Sequence, residues 1–312
     1  MNRKILAWLK IVRLQFYPMT WIAYSMGAVA ACTHIGKWDL KVYLIGYLVL
    51  FFIELSTILV NEYYDYDTDR ANKNFGPFTG GTRVLVEGQL GFPEVRAGIW
   101  TSLILTVAFG YLLIRFDTRA SSFSILLLIL LGLILGLGYT APPLKFSYRG
   151  LGEWIVALTH SPYVILCGYV FQGGSWTEPL PWILSIPLFF ATLSAIILAG
   201  IPDRLADTAA SKKVIAVLWG PRKAVLLAAL FVCLSSLSGL LLSYFQIIRG
   251  SSSRLIWASI PHGIILLVVL FKFIRSWNYD RRIDGIMALA LSYIIWFGLI
   301  PLISFFGMPK AS

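Results

Sequence analysis

The sequence predicts an all-α fold, a polytopic membrane helical bundle of about nine transmembrane helices, and three observations carry that expectation. Of the 312 residues, 58% are apolar and 15% aromatic while only 13% are charged. The mean hydropathy of +0.77 lies well outside the usage of soluble domains. Nine windows meet or approach the roughly 20 mostly apolar residues that a helix needs to cross a bilayer. The basic residues behind the net charge of +11 sit in alternate short loops between those windows. That distribution keeps positive loops on one side of a membrane and speaks against a nucleic-acid partner.

In order, the windows run Phe16 to Ala31, Val42 to Val60, Ala97 to Ile114, Phe123 to Tyr139, Trp154 to Phe171, Pro181 to Ile201, Ala224 to Tyr244, Leu255 to Phe273 and Ile286 to Phe306. The first is followed by lysines and another span and lacks a small-residue cleavage site, so it predicts a retained helix rather than a cleaved signal peptide. Arg3, Lys4, Lys10 and Arg13 precede it. Arg70, Lys73, Arg83 and Arg96 follow the second window, and Lys145 and Arg149 the fourth. Arg204, Lys212, Lys213, Arg222 and Lys223 follow the sixth, and Lys272, Arg275, Arg281 and Arg282 the eighth. These nineteen of 26 basic residues place the N-terminus and the even-to-odd loops in the cytoplasm and the C-terminus outside, as in an integral protein of a bacterial inner membrane. Most carboxylates share the cytoplasmic side, so the chemistry is expected there. Cys32, Cys167 and Cys233 lie far apart in apolar segments, which indicates neither a disulfide framework nor a zinc site. His34, His160 and His262 are equally scattered and read as packing residues, with His160, in the fifth window, placed to line a pocket.

The second window ends in a burst of carboxylates, Asn61-Glu-Tyr-Tyr-Asp-Tyr-Asp-Thr-Asp69. Asn61, Asp65 and Asp69 are spaced by four, so on a helix they climb one face as a ladder, while Glu62 and Asp67 point elsewhere. Three oxygen-bearing groups on one face repel one another, and a cation such as Mg2+ is expected between them and an opposing surface. The loop after the sixth window opens the same way, with Asp203 and Asp207 followed by Lys212 and Lys213. The second and sixth windows therefore look like equivalent positions in two halves of one domain, residues 14–145 and 150–306. Between the halves, the Pro-Pro pair of Tyr139-Thr-Ala-Pro-Pro-Leu-Lys145 predicts an extended turn that sets Lys145 and Arg149 at the membrane surface, where both are candidate substrate-binding residues as well as positive-inside anchors. Mg2+ favours one or two carboxylates plus substrate phosphate oxygens. Two facing ladders would each hold an ion, two in all, with a diphosphate between them and Arg83, Lys145 and Lys212 neutralising the rest. A diphosphate at the mouth of a hydrophobic bundle implies a lipid tail running inward, hence a polyprenyl diphosphate. Glu54 lies mid-span, seven residues before Asn61 and on the same face. A charge there costs about 2.5 to 3.5 kcal/mol on insertion scales, so it is expected to face the cavity, either as a hydrogen-bonded structural group or as part of acceptor binding.

Asn61-x3-Asp65-x3-Asp69, Asp203-x3-Asp207, the Tyr139 to Lys145 stretch and the nine spans resemble the UbiA-type intramembrane prenyltransferase family over essentially the whole chain. The resemblance implies two four-helix halves and an extra helix around a central lipid-open cavity. It also implies that Asn61, Asp65, Asp69, Asp203 and Asp207 bind Mg2+ and diphosphate while Arg83, Lys145 and Lys212 help hold the phosphates. Within the family, Gly76-Pro-Phe-Thr-Gly-Gly-Thr-Arg83 and Tyr148-Arg-Gly-Leu-Gly-Glu153 are most similar to the 1,4-dihydroxy-2-naphthoate prenyltransferases of menaquinone synthesis, so the expected second partner is a small aromatic acceptor. The sequence departs from the family pattern at Ile201-Pro202, where many members carry a polar residue, and at Ser211, where Gly is usual before Lys212. The expected reaction ionises the allylic diphosphate, and the faces of Tyr63, Tyr64, Tyr66 and Tyr139 are candidates to stabilise the cation by roughly 0.5 to 2 kcal/mol each. Acceptors such as 4-hydroxybenzoate, a chlorin, a haem or a glycerol phosphate keep the fold and change the partner. A secondary transporter would carry its acids at the bilayer midplane, and a structural subunit would leave both ladders unexplained.

Overall fold

The computed structural model describes residues 3–117, 119–249 and 251–306. Residues 307–312, on which the expected exterior C-terminus falls, lie outside the described residues. Among the described residues the chain is mainly helical, with no strand. Helix α1 (Arg3–Val12) leads into α2 (Tyr17–Ile35) and α3 (Leu40–Tyr64), with the short α4 (Tyr66–Ala71) continuing from α3. The helices α5 (Phe92–Phe116) and α6 (Ser122–Leu137) follow. Next come α7 (Gly152–Leu158), a π turn at Thr159–Tyr163 and α8 (Val164–Phe171), one rod in three pieces. Then come α9 (Pro179–Ala209), α10 (Ile215–Leu218), α11 (Pro221–Tyr244), α12 (Ser259–Ser276) and α13 (Asp284–Phe306).

Local chemistry sets the ends. Gly36 closes α2 in the left-handed conformation at φ +77°, donating its N–H to the Cys32 carbonyl at 2.8 Å, as a glycine C-cap does. Asp39 starts α3 by accepting the Val42 N–H at 3.0 Å, and Glu94 reaches back to the Gly91 N–H at 2.8 Å to start α5, both satisfying donors that a helix N-terminus leaves open. α3 packs on α5 and α6, α9 on α11, α2 on α8, and α13 on both α2 and α9. The α2–α8 crossing is close enough to require glycine on both sides. A Cβ on Gly27 would stand 1.9 Å from the Ile165 carbonyl oxygen, and one on Gly168 would stand 2.0 Å from that of Tyr24, the small-residue packing typical of membrane helices.

All nine windows fall on helical stretches. Among the described residues seven stretches are long and apolar enough to cross a bilayer by themselves: Leu40–Tyr64, Phe92–Phe116, Gly152–Phe171, Pro179–Ala209, Pro221–Tyr244, Ser252–Ser276 and Asp284–Phe305. Ser122–Leu137 falls short at 16 residues, because Gly138 ends it before Tyr139. α2 is not among the seven, being diluted by Thr20, Ser25, Thr33 and small residues.

Candidate active site

The predicted site assembles from three pieces of chain: the α3–α4 corner, the 139–153 segment and the C-terminal end of α9. The first ladder survives with a bend. α3 ends at Tyr64 and α4 begins at Tyr66, yet the backbone bonds run through the corner, Asp65 N–H to the Asn61 carbonyl and Asp69 N–H to that of Asp65, both at 2.8 Å. The three side chains therefore keep one side, and Asn61 is fixed by the Thr140 hydroxyl, which donates to its Oδ1 at 2.7 Å.

The second pair sits opposite. The Asn72 amide donates to Asp203 Oδ1 at 2.7 Å, and the Gly80 N–H donates to Oδ2 at 3.2 Å, so the loop after α4 is pinned to α9. Lys212 is the centre of the arrangement: its Nζ lies 3.0 Å from Asp65 Oδ2 and 3.7 Å from Asp207 Oδ1. Burial works against its charge, but the carboxylates of Asp65 and Asp207 outweigh this and hold the ammonium well above its ordinary pKa. A Schellman turn delivers it there. With α9 ending at Ala209, Ser211 takes φ +59°, its N–H reaches the Thr208 carbonyl at 3.1 Å and the Lys212 N–H reaches that of Asp207 at 2.9 Å. The glycine that Ser211 displaces is thus the residue this geometry favours.

Tyr139 is buried within electrostatic reach of Lys212, Glu153, Asp65 and Asp207, and burial pushes its phenol up. Tyr148, which the sequence reading quoted only as part of a motif, is the hub of the cationic side. Its ring lies 4.8 Å from Lys145 Nζ and 5.6 Å from Lys212 Nζ, and its hydroxyl points at Asp65 Oδ1 at 3.5 Å. Arg149 turns the other way and donates to the Pro143 carbonyl at 2.8 Å, closing the turn behind the cis Pro142–Pro143 bond. Arg83 donates to the Asp69 carbonyl at 2.7 Å, lies over the Phe75 ring at 4.2 Å and pairs with Glu87 at 3.6 Å, which fastens the loop around the ladder. Glu54 is set apart, two turns into α3 from Asn61.

Further residues shape the site without belonging to either ladder. Glu62 points off the ladder face and is buried, accepting the Thr82 N–H at 2.8 Å and the Thr82 hydroxyl at 2.7 Å, while Asp67 is exposed. Gly81 lies so close to Asp69 that a Cβ there would stand 2.1 Å from Oδ2. Glu153 accepts the Ile215 N–H at 2.6 Å and starts α10. Asn72, Thr140 and Tyr148 were missed as partners because nothing in their spacing marks a contact across 79 to 131 residues of chain. Tyr63 and Tyr66 do not approach the acids. They lie edge-to-face on Phe92, with centroids at 5.3 and 5.1 Å, and Tyr64 is exposed, because positions 63, 64 and 66 fall off the 61/65/69 face.

Whether the donors fit a metal is testable on the chemistry present. Among the described residues no three His, Cys, Asp or Glu side chains are placed to hold a metal ion by themselves. The Asp69 carboxyl is pushed up to about 8 by burial and by the Glu62 and Asp65 charges, against Lys212 and Arg13. A hard oxygen set with uncompensated negative potential suits an ion that takes one or two carboxylates and draws its other oxygens from a substrate. The residues fit Mg2+ shared with a diphosphate. The apolar groove of about 470 Å³ between Trp8, Phe52, Leu59 and Gly98 touches none of these groups.

The model of the UbiA prenyltransferase family matches residues 20–292. A lycopene elongase/hydratase of Corynebacterium glutamicum is 27% identical over 276 residues, 86% of each chain. A 1,4-dihydroxy-2-naphthoate octaprenyltransferase of Bacillus subtilis is 27% identical over 228 residues, 71% of this chain and 69% of that one. Among solved structures, that of a UbiA homolog from Archaeoglobus fulgidus bound to DMAPP and Mg2+ superposes with a TM-score of 0.58 at 15% identity, covering 96% of this chain and all of that one.

Proposed function

The chain belongs to the UbiA prenyltransferase family, and on that premise we propose that it transfers a polyprenyl group from an allylic diphosphate to an aromatic acceptor, 1,4-dihydroxy-2-naphthoate being the acceptor to test first. The observation that carries this is Lys212 held between Asp65 and Asp207, with Asp69 and Asp203 within its electrostatic reach, at one end of an apolar helical bundle. Asn61, Asp65, Asp69, Asp203 and Asp207 would hold two Mg2+ ions, which when bound neutralise the diphosphate. The solved A. fulgidus homolog binds DMAPP and Mg2+, which supports that assignment.

The chain's own groups do the following. Lys212 is held charged between Asp65 and Asp207 and turns to the diphosphate oxygens when these carboxylates are otherwise neutralised. Lys145, poised over Tyr148, adds a second cation, and Arg83 keeps the loop on Asp69. The C1–O bond breaks with its electron pair leaving on the diphosphate. The allylic carbon then bonds to the acceptor ring, and that ring carbon loses its proton. Tyr139 and Tyr148 offer the nearest ring faces to the developing cation, and the apolar bundle excludes water from it. The same reading places the protein in a bacterial inner membrane, N-terminus and site cytoplasmic, as one domain of two pseudo-equivalent halves.

One observation favours a second acceptor class. The match to the lycopene elongase/hydratase spans 86% of the chain against 71% for the naphthoate enzyme, so a polyene belongs in the same assay. Purified protein with Mg2+ and geranylgeranyl diphosphate is given a panel of aromatic acids and a polyene, and products are identified by mass. A prenylated aromatic acid is expected. Absence of both a prenylated product and pyrophosphate release would overturn the reading.

A further inference from the structure

Two turns before Asn61, α3 carries a carboxylate that the diphosphate site leaves unused. The Tyr17 hydroxyl is a buried side-chain atom with no hydrogen-bond partner, while Glu54 and the Thr20 hydroxyl lie close enough to bond only to each other, with Glu54 Oε2 short of a well-formed bond. They are neighbours across the α2–α3 contact, Glu54 facing both Thr20 and Tyr17, with Tyr47 also within its electrostatic reach. The Tyr17 ring is held against Phe51 at 4.8 Å between centroids, so its hydroxyl is aimed rather than free to swing. An unpaired buried polar group is costly, and here a carboxyl and two hydroxyls with incomplete bonding stand at one stretch of the α2–α3 contact. Such a cost is borne where a ligand supplies the missing bonds.

The ligand's chemistry follows from what the three atoms can do. A carboxyl and two hydroxyls accept and donate hydrogen bonds, and the tail of an allylic diphosphate offers neither. Glu54 lies about 10 Å along the helix from Asn61 and on the same face. That is the length of a bicyclic ring with its substituents, measured from the diphosphate end inward. We propose that Glu54, Tyr17 and Thr20 form the subsite that binds the hydroxyl groups of a phenolic acceptor and so set acceptor specificity. This rests on the prenyl-transfer reading above and adds to it the residues that choose the second substrate.

The test uses the full chain in detergent with Mg2+, geranylgeranyl diphosphate and 1,4-dihydroxy-2-naphthoate, comparing Glu54→Gln, Tyr17→Phe and Thr20→Val. Tyr17→Phe and Thr20→Val are expected to raise the acceptor KM by roughly 10-fold. The KM for the diphosphate and the acceptor-free release of pyrophosphate should stay within about twofold. Thermal stability should hold or rise, since each change removes an incompletely bonded polar atom, whereas a structural role would lower stability and leave the acceptor KM alone. Unchanged acceptor KM in both Tyr17→Phe and Glu54→Gln would overturn the proposal, as would an equal rise in the diphosphate KM. Wild-type protein that releases pyrophosphate and elongates a polyene but prenylates no phenol would overturn the phenolic subsite and leave prenyl transfer standing. Wild-type protein that releases no pyrophosphate would sink the parent reading itself.

Discussion

Asp69 sits under the Gly80–Gly81 turn, and its burial, together with the charges of Glu62 and Asp65, raises its pKa to about 8. The native state without metal thus holds a proton on Asp69 that the unfolded chain has released above its ordinary pKa of 3.8. Folded protein binds more protons than unfolded in that window, so stability falls as pH rises through it and levels off above about 8. Thermal melts of metal-free protein from pH 5 to 8 should follow that slope, and Mg2+ should flatten it, because a cation stabilises the deprotonated form. Asp65→Ala or Asp69→Ala should lower pyrophosphate release by about 100-fold or more while the protein still folds, as losing one fixed charge-stabilising group does. Lys212→Met has a different signature. It strands Asp65 and Asp207 as buried unpaired carboxylates, at a cost of about 3 to 5 kcal/mol, so denaturation should show lost stability as well as lost activity.

Ser211 shows an element ending under strain. The Schellman turn after α9 needs a left-handed residue between Ala210 and Lys212, and serine at φ +59° fills that position, where a side chain costs about 1 to 2 kcal/mol relative to glycine. Ser211→Gly should therefore raise the unfolding temperature, by roughly 1 kcal/mol in stability, and leave pyrophosphate release near wild type. Its failure to stabilise would mean that the turn is held by Asp65 and Asp207 gripping Lys212 rather than by its own backbone. The α2–α8 crossing is the reverse case. Gly168→Leu would drive a side chain into the Tyr24 carbonyl, and the yield of folded protein should drop sharply while the acids, which lie elsewhere, are untouched.

At the scale of the molecule, the loop from Asn72 to Arg83 is pinned to α9 through Asp203, and the Lys213 N–H meets the Ser147 carbonyl at 3.3 Å, so segments far apart in the chain close on one end of the bundle. If that end is cytoplasmic, cysteine placed at Lys73 in a background lacking Cys32, Cys167 and Cys233 should react with an impermeant thiol reagent only after the membrane is opened from the outside. A cysteine at Trp176, between α8 and α9, should react in intact cells. The opposite pattern would invert the topology and move the chemistry to the exterior.

The helical membrane class, the order of the spans and the two acidic motifs were legible in the sequence, because apolar run length and four-residue spacing are local properties that the helix period converts directly into faces. The basic loops were legible as a group for the same reason, since their charge counts need no partner. The division of labour among them was not. Lys212 lying between Asp65 and Asp207, Arg83 and Arg149 bonding to backbone carbonyls, and Tyr148 gathering two lysines depend on contacts between segments far apart in the chain. The tertiary structure alone also decided that Tyr63 and Tyr66 pack on Phe92 and that Glu54, Tyr17 and Thr20 share an incompletely bonded polar cluster. A sequence fixes which way a side chain leaves its own helix; what stands opposite is set by how helices cross, and at α2 and α8 that is set by two glycines.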